Sequence, residues 1–362
     1  MYNIPLMQLI RNNIFLLEMP LYPGENLTIS YHIIGDITSI GFAYPYIKYE
    51  TLFKSLPSLT YLSIFNYRVS DQGDIIEYHD DSEIIKTSID YGTIPIMMMS
   101  SASPMGEPNV EMEYNLLLNE EAQENNINQV INIMRSKGYY GFIITFNYLN
   151  ENSLELYLNF TKKISERLHK VGFLFFITVN YINQETANGM QVSQIDYTSF
   201  STYVDGMIFL KFLWRTINTP PLPVCNMSNL ATLIDYVVTK VPSDKIIIGK
   251  PLLGYDWELP FQTDRSKTVS LSLEAVYNLA QATGAFIQYD EKSQNPYYLY
   301  NQINIGIPVQ HIVWFIDARS LNVIDELIKN YSLIGCGAWN IMVYYAPLWT
   351  LINSQFNIIK LI

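Results

Sequence analysis

Apolar runs of strand length alternate with helix-patterned segments along nearly the whole chain, and this alternation restricts the fold more than any other feature. The runs fall at 39–44, 59–67, 93–100, 141–148, 173–180, 206–214, 245–254 and 335–342. Helical patterns lie between them at 81–91, 120–137, 154–170, 228–240 and 321–331. Strands separated by helices pair in parallel, and such a sheet is covered on both faces. Ile246, Ile247 and Ile248 are apolar on consecutive residues, as are Phe173 to Phe176, which suits strands buried on both sides. Eight such strands are the number that closes a (β/α)8 TIM barrel, the α/β fold class expected here.

The size agrees. A chain of 362 residues with 49% hydrophobic content accommodates a barrel of about 250 residues plus an insertion. The gap between the seventh and eighth runs, 258–318, exceeds what one helix needs, and loops this long carry structure of their own. A helix at 271–283 and strands at 286–290, 297–300 and 311–315 fit a small α+β insertion domain. The expected organisation is an N-terminal extension over 1–35, a barrel over 36–257 and 319–362, and the insertion over 258–318.

Charge removes several function classes. The net charge is −12, with 22 Lys and Arg against 34 Asp and Glu, so the clustered basic surface that nucleic acid or an anionic membrane requires is not expected. Cys225 and Cys336 stand alone, without metal-ligand spacing or a nearby His cluster, so neither a metal site, another cofactor nor a disulfide framework is expected. The start lacks a charged region followed by an apolar run, and no window reaches the roughly 18 apolar residues of a membrane span. Cytoplasmic synthesis without a signal peptide is the expectation.

At 138–148 the chain reads GYYGFIITFNY. This strand, with the helix that follows, resembles the fourth strand and helix of glycoside hydrolase family 18, the chitinase-like family, and in particular its spore-cortex N-acetylglucosaminidase branch. Segments 41–46 (GFAYPY), 59–67 (LTYLSIFNY), 254–261 (GYDWELPF), 313–320 (VWFIDARS) and 338–342 (AWNIM) extend the resemblance in the same order. Residues 21–30 (LYPGENLTIS) resemble the last strand of a LysM peptidoglycan-binding module. Only half a module fits, so a plain β-hairpin packed on the barrel is the simpler expectation.

The family writes its fourth strand as Asp-Gly-x-Asp-x-Asp-x-Glu, with Glu as general acid and the preceding Asp orienting the substrate's acetamido group. Here those acidic positions carry Tyr140, Ile143, Thr145 and Asn147. Family 18 is an exception to the two-carboxylate rule, because the substrate's N-acetyl group is the nucleophile, so one proton donor is indispensable. Asn147 can donate a hydrogen bond but has no titratable proton, and general acid catalysis is worth about 100- to 10,000-fold. After the sixth strand the family's acetamide-binding Tyr is replaced by Phe212, and the acid beside it by Leu213.

The resemblance further implies an aromatic floor beneath the sugar at Trp339, and groove residues at Tyr255, Asp256 and Trp257, with Glu258 behind them. The leading expectation is a catalytically inactive, spore-associated barrel that binds N-acetylglucosamine-containing glycan or a spore-envelope protein, with Trp339, Tyr255, Asp256, Trp257 and Asn147 at the ligand. An active glycosidase with Asp256 or Glu258 as relocated acid is the alternative. A structural coat protein, its groove closed by Tyr140 and Ile143, is the third.

Overall fold

A computed structural model describes residues 4–361 apart from 103–108, 146–152, 180–182, 187–188, 193–194, 211–219, 264–265, 267 and 305. Eight strands form the barrel: β1 (Gly35–Ala43), β2 (Tyr61–Val69), β3 (Ile94–Ser100), β4 (Gly141–Thr145), β5 (Leu174–Val179), β6 (Gly206–Phe209), β7 (Ile246–Pro251) and β8 (Gly335–Trp339). Each pairs in parallel with its neighbours, and β1 closes the ring by pairing with both β2 (Ile40 opposite Tyr61) and β8 (Ile40 opposite Gly337). The expected barrel is therefore present.

Strand alternation divides the core. Ile40, Phe42, Tyr61, Phe65, Ile96, Met98, Ile143, Phe176, Ile208, Ile247 and Trp339 fill the barrel lumen. Their neighbours, such as Phe142, Ile144, Phe175 and Ile248, point outward and join a larger cluster under the helices. The helices form where their termini are satisfied. Glu120–Lys137 begins where the Asn119 side chain accepts from the Glu121 and Ala122 amides, and ends at Gly138, which adopts the left-handed φ of 85°.

One buried ion pair ties barrel to helix. Lys250 of β7 points outward, and its ammonium donates to Asp325 in the helix Ala318–Asn330; both side chains are fully buried. Burial pushes the Asp325 carboxyl up, and the Lys250 charge pulls it back down. Beside them, burial pushes the Cys336 thiol up to about 11, leaving it a neutral core group.

The chain leaves the barrel earlier than the sequence pattern indicates. The run at 245–254 is split: β7 ends at Pro251, the Leu252 amide donates to the Trp339 carbonyl at 2.7 Å, and a new strand, Leu253–Leu259, joins a five-stranded antiparallel sheet. In spatial order that sheet runs Thr268–Ser272, Leu253–Leu259, Ile307–Phe315, Asn295–Asn304 and Gln288–Asp290. The helix Leu273–Thr283 covers one face, where the Tyr298 hydroxyl donates to the Val276 carbonyl at 2.9 Å.

The N-terminal hairpin does not form. Residues 4–34 contain the helix Leu6–Asn12, a 3-10 turn at Ile14–Leu17 and no strand, including at 21–30. The Asn13 side chain takes the place of a partner strand, accepting from the Thr28 amide at 2.7 Å and donating to the Thr28 carbonyl at 2.9 Å. Pro20 and Pro23 remove two ladder donors from the same stretch.

Gly73, in the turn after β2, has a φ of 79°, and a Cβ there would lie 1.9 Å from the Ala122 carbonyl oxygen. Both the left-handed backbone and the clash oppose any side chain. Gly73→Ala is expected to cost about 2 kcal/mol or more in urea unfolding. A cost below about 0.5 kcal/mol would show that this turn does not bear on the helix Glu120–Lys137.

Candidate functional site

In a barrel of this kind, ligands meet the strands at their C-terminal ends. Along β4, Ile143 and Thr145 point into the lumen, and both are fully buried. Among the described residues the Thr145 hydroxyl has no hydrogen-bond partner. Asn147 and Phe212, with Leu213, lie outside the described residues.

Tyr140 sits elsewhere. It precedes β4, its amide donates to Pro95 at the start of β3, and its side chain is 42% exposed. At 3.3 Å per residue it lies about 16 Å below Thr145, at the opposite end of the barrel. Tyr140 therefore does not close the groove, and the expectation that it does is corrected: the strand's direction separates the first position of the motif from the last.

Every buried carboxylate among the described residues has a side-chain partner. Asp81 accepts from Tyr67, Tyr139 and Asn66, and pairs with Lys137 at 2.6 Å. Asp81 also lies with Glu77 and Asp80 in a group close enough to hold a cation, but Lys137 already bridges Glu77 and Asp81. Asp325 is held by Lys250. Glu113, on the helix Val110–Leu118, accepts from Ser101 just beyond the C-terminal end of β3. The sequence pattern gave no helix over 110–118, so this buried acid was not among the candidates.

Asp256 is the fourth. Tyr300 donates to one of its oxygens at 2.6 Å, and His311 Nδ1 meets the other at 3.0 Å. The Tyr300 and His311 rings stack at 4.8 Å. Tyr300 shares its sheet face with Tyr298, so this knot lies on the face covered by the helix. Burial and the Asp256 charge together push the Tyr300 phenol far up, keeping it a neutral donor. Asp256 thus fastens the insertion sheet, and Glu258 stands across from His311 on the neighbouring strand. Both acids belong to the insertion sheet, a different element from β4. Tyr255 and Trp257 pack on each other at 5.6 Å with only 3% and 2% of their surface exposed, so they fill core instead of presenting a face to ligand.

Trp339 ends β8 and closes the top of the lumen, its ring 5.6 Å from Phe42, 5.9 Å from Phe65 and 6.3 Å from Tyr44. It is 7% exposed. From it an aromatic path runs outward that the sequence reading missed: Tyr44 stacks on Tyr46 at 5.3 Å, and Tyr46 meets His79 edge-on at 5.5 Å. Burial pushes the Tyr44 phenol up to about 12, so it remains a neutral hydrogen-bonding group. Tyr46 is 60% exposed. The motif at 41–46 was the available signal, because it puts two aromatic residues just past the C-terminal end of β1. A cleft of about 310 Å3 opens between the insertion sheet and the loop after β8, lined by Leu252, Ser270, Tyr277, Asn340 and Tyr344 among others.

The family model for glycosyl hydrolases family 18 matches residues 104–342, more than half of the chain. The chain belongs to this family. It is similar to the cortical fragment-lytic enzyme of Bacillus subtilis, with 26% identity over 304 residues that cover 84% of this chain and 69% of that protein. Among solved structures it superposes on the Bacillus cereus spore cortex-lytic enzyme SleL with a TM-score of 0.80 and 25% identity, covering 99% of this chain and 83% of that one. A Chromobacterium violaceum chitinase shares the fold, with a TM-score of 0.77 and 18% identity over 88% of this chain. Among the described residues no helix is long and apolar enough to cross a membrane.

Proposed function

We propose that this family 18 chain has lost hydrolysis and acts in the spore envelope as a binder of N-acetylglucosamine-containing glycan. One observation carries the reading: where the family's strand sets its acids, this chain has Ile143, Thr145 and Asn147, none of which is a carboxylate. Thr145 supplies no negative charge beside a developing oxazolinium ion. What survives is a surface suited to a pyranose. The indole of Trp339 and the path through Tyr44 to the exposed Tyr46 are flat and apolar, with polar tips, and need no charge. The placement in the spore envelope rests on the similarity to the cortical fragment-lytic and cortex-lytic enzymes.

The purified protein is expected to bind N-acetylglucosamine oligomers weakly in calorimetry and to release no product from chitooligosaccharides or cortex fragments. The matched control carries Asp256→Asn, Glu258→Gln and Glu113→Gln. Turnover clearly above that control would restore the relocated-acid reading. No heat with any oligomer would leave a structural or partner-binding role instead.

Returning one acid does not return the enzyme. Asn147→Glu supplies a titratable proton, but Thr145 still gives no charge and Phe212 no hydroxyl. Residues that act as a catalytic unit are strongly non-additive. Asn147→Glu is therefore expected to be inactive, and its combination with Thr145→Asp and Phe212→Tyr at most weakly active. Family-level turnover from the single change would refute the assignment of Thr145 and Phe212 to the loss.

A further inference from the structure

We infer that the outer edge of the insertion sheet is a self-association surface that pairs antiparallel with the same edge of a second copy of this chain. Between Lys292 and Asp317 the sequence contains no Asp, Glu, Lys or Arg, in a chain that is 15% charged overall. That charge-free stretch is the hairpin of Asn295–Asn304 and Ile307–Phe315. Its inner strand is paired with Leu253–Leu259 from Gln310 to Phe315. Its outer strand is paired with Gln288–Asp290 only as far as Tyr297. Beyond that point, from Tyr298 to Asn304, no strand covers the outer edge among the described residues.

Natural sheets protect such edges with lysine, proline, a bulge or an inward charge. None is present here: residues 298–304 read YLYNQIN, and the register runs without interruption from Tyr297 opposite Trp314 to Asn304 opposite Ile307. Tyr298 and Tyr300 face the covering helix and are buried. Leu299, Asn301 and Ile303 occupy the other face; Leu299 is 39% and Ile303 76% exposed, and Asn301 is exposed between them.

This pattern is what selects the occupant. With a two-fold axis through Asn301, antiparallel pairing sets Leu299 opposite Ile303 of the second copy, Asn301 opposite its own counterpart, and Ile303 opposite Leu299. On the face of Leu299, Asn301 and Ile303 each cross-strand pair is then apolar on apolar or amide on amide, and no charge is opposed anywhere along the edge. A partner of opposite charge to this acidic chain would be met by acidic residues at the edge, and the edge has none. The result is one continuous sheet across the two copies, five strands from each.

Sedimentation of the whole chain over a wide concentration range is expected to show a monomer–dimer equilibrium. It should tighten with salt, because two chains of net charge −12 repel and salt screens that repulsion. Asn301→Lys and Ile303→Lys, each with an unchanged circular dichroism spectrum, are expected to weaken dimerisation by about tenfold or more, by setting a lysine at or near the axis. In a Cys225→Ser background, Asn301→Cys should form a covalent dimer under mild oxidation, since residues opposite one another in antiparallel strands lie about 4.5–5.5 Å apart. The exposed Ile76→Cys is the control. A protein monomeric at every concentration, a dimer indifferent to both lysines, or a cross-link no faster at 301 than at 76 overturns the inference.

Discussion

Asp325→Ala is expected to lower the stability of this barrel by about 3–5 kcal/mol, one of the two largest effects foreseen. The reason is the partner left behind. Lys250 lies on β7 with no exposed surface, and its ammonium has Asp325 as its recorded partner. Removing the carboxylate leaves a charge between barrel and helix that water cannot reach. The pair itself need not contribute much, because taking two ions out of water offsets most of their attraction. Lys250→Met combined with Asp325→Leu should therefore recover most of what Asp325→Ala loses. Urea unfolding of the three variants decides the matter: a cost below about 1 kcal/mol for Asp325→Ala would show that the ammonium finds water or another acceptor.

Trp339→Ala is expected to abolish glycan binding and also to cost about 3–5 kcal/mol of stability. Both follow from one position. The indole packs on Phe42, Phe65 and Tyr44, and its remaining surface faces the end of the barrel where the ligand is proposed to lie. A large buried ring truncated to a methyl group leaves a cavity that a closed barrel cannot collapse around. Because unfolding alone also ends binding, Tyr46→Ala is the necessary companion. Tyr46 is exposed, so its loss should leave stability within about 0.5 kcal/mol while weakening oligomer binding several-fold, about 1 kcal/mol. If Tyr46→Ala binds as well as the parent, the aromatic path is not the glycan surface.

Much of the fold was legible because a parallel barrel writes its strands as continuous apolar runs. Runs such as 93–100 and 173–180 coincide closely with β3 and β5, and the helices Glu120–Lys137 and Leu154–Lys170 have the expected bounds. Errors arose where tertiary context set the boundary. Pro251 and Leu252 belong to the same apolar run as β7, and only the bond from Leu252 to the Trp339 carbonyl shows that the chain turns there into a second sheet. The hairpin expected near the N-terminus failed because Asn13 satisfies the backbone that a second strand was to satisfy.

The candidate site was legible in its sequence positions and less so in its directions. A motif fixes which residues align but not which way a strand presents them, so Tyr140 was placed in a groove from which it lies far away. The sequence offers Asp256 as a groove residue and candidate relocated acid. Its partners Tyr300 and His311 come from strands more than forty residues later, a distance no local pattern spans. Tyr46 and His79 were passed over because neither is chemically unusual until the rings are seen in contact.

The pairing of β1 with β8, reinforced where Gly35–Ile37 meets Phe356–Ile358, sets a condition on how the protein is made. The first barrel strand to be made waits for the eighth before its second edge is covered. Until then the growing sheet is an open ribbon with β1 at one rim, and loops of such length close slowly. Closure therefore waits for residues 335–339. Nascent chains arrested before residue 335 should remain protease-sensitive and rely on chaperones to shield that rim, whereas chains long enough to free residues 335–339 should convert to a resistant form in a single step.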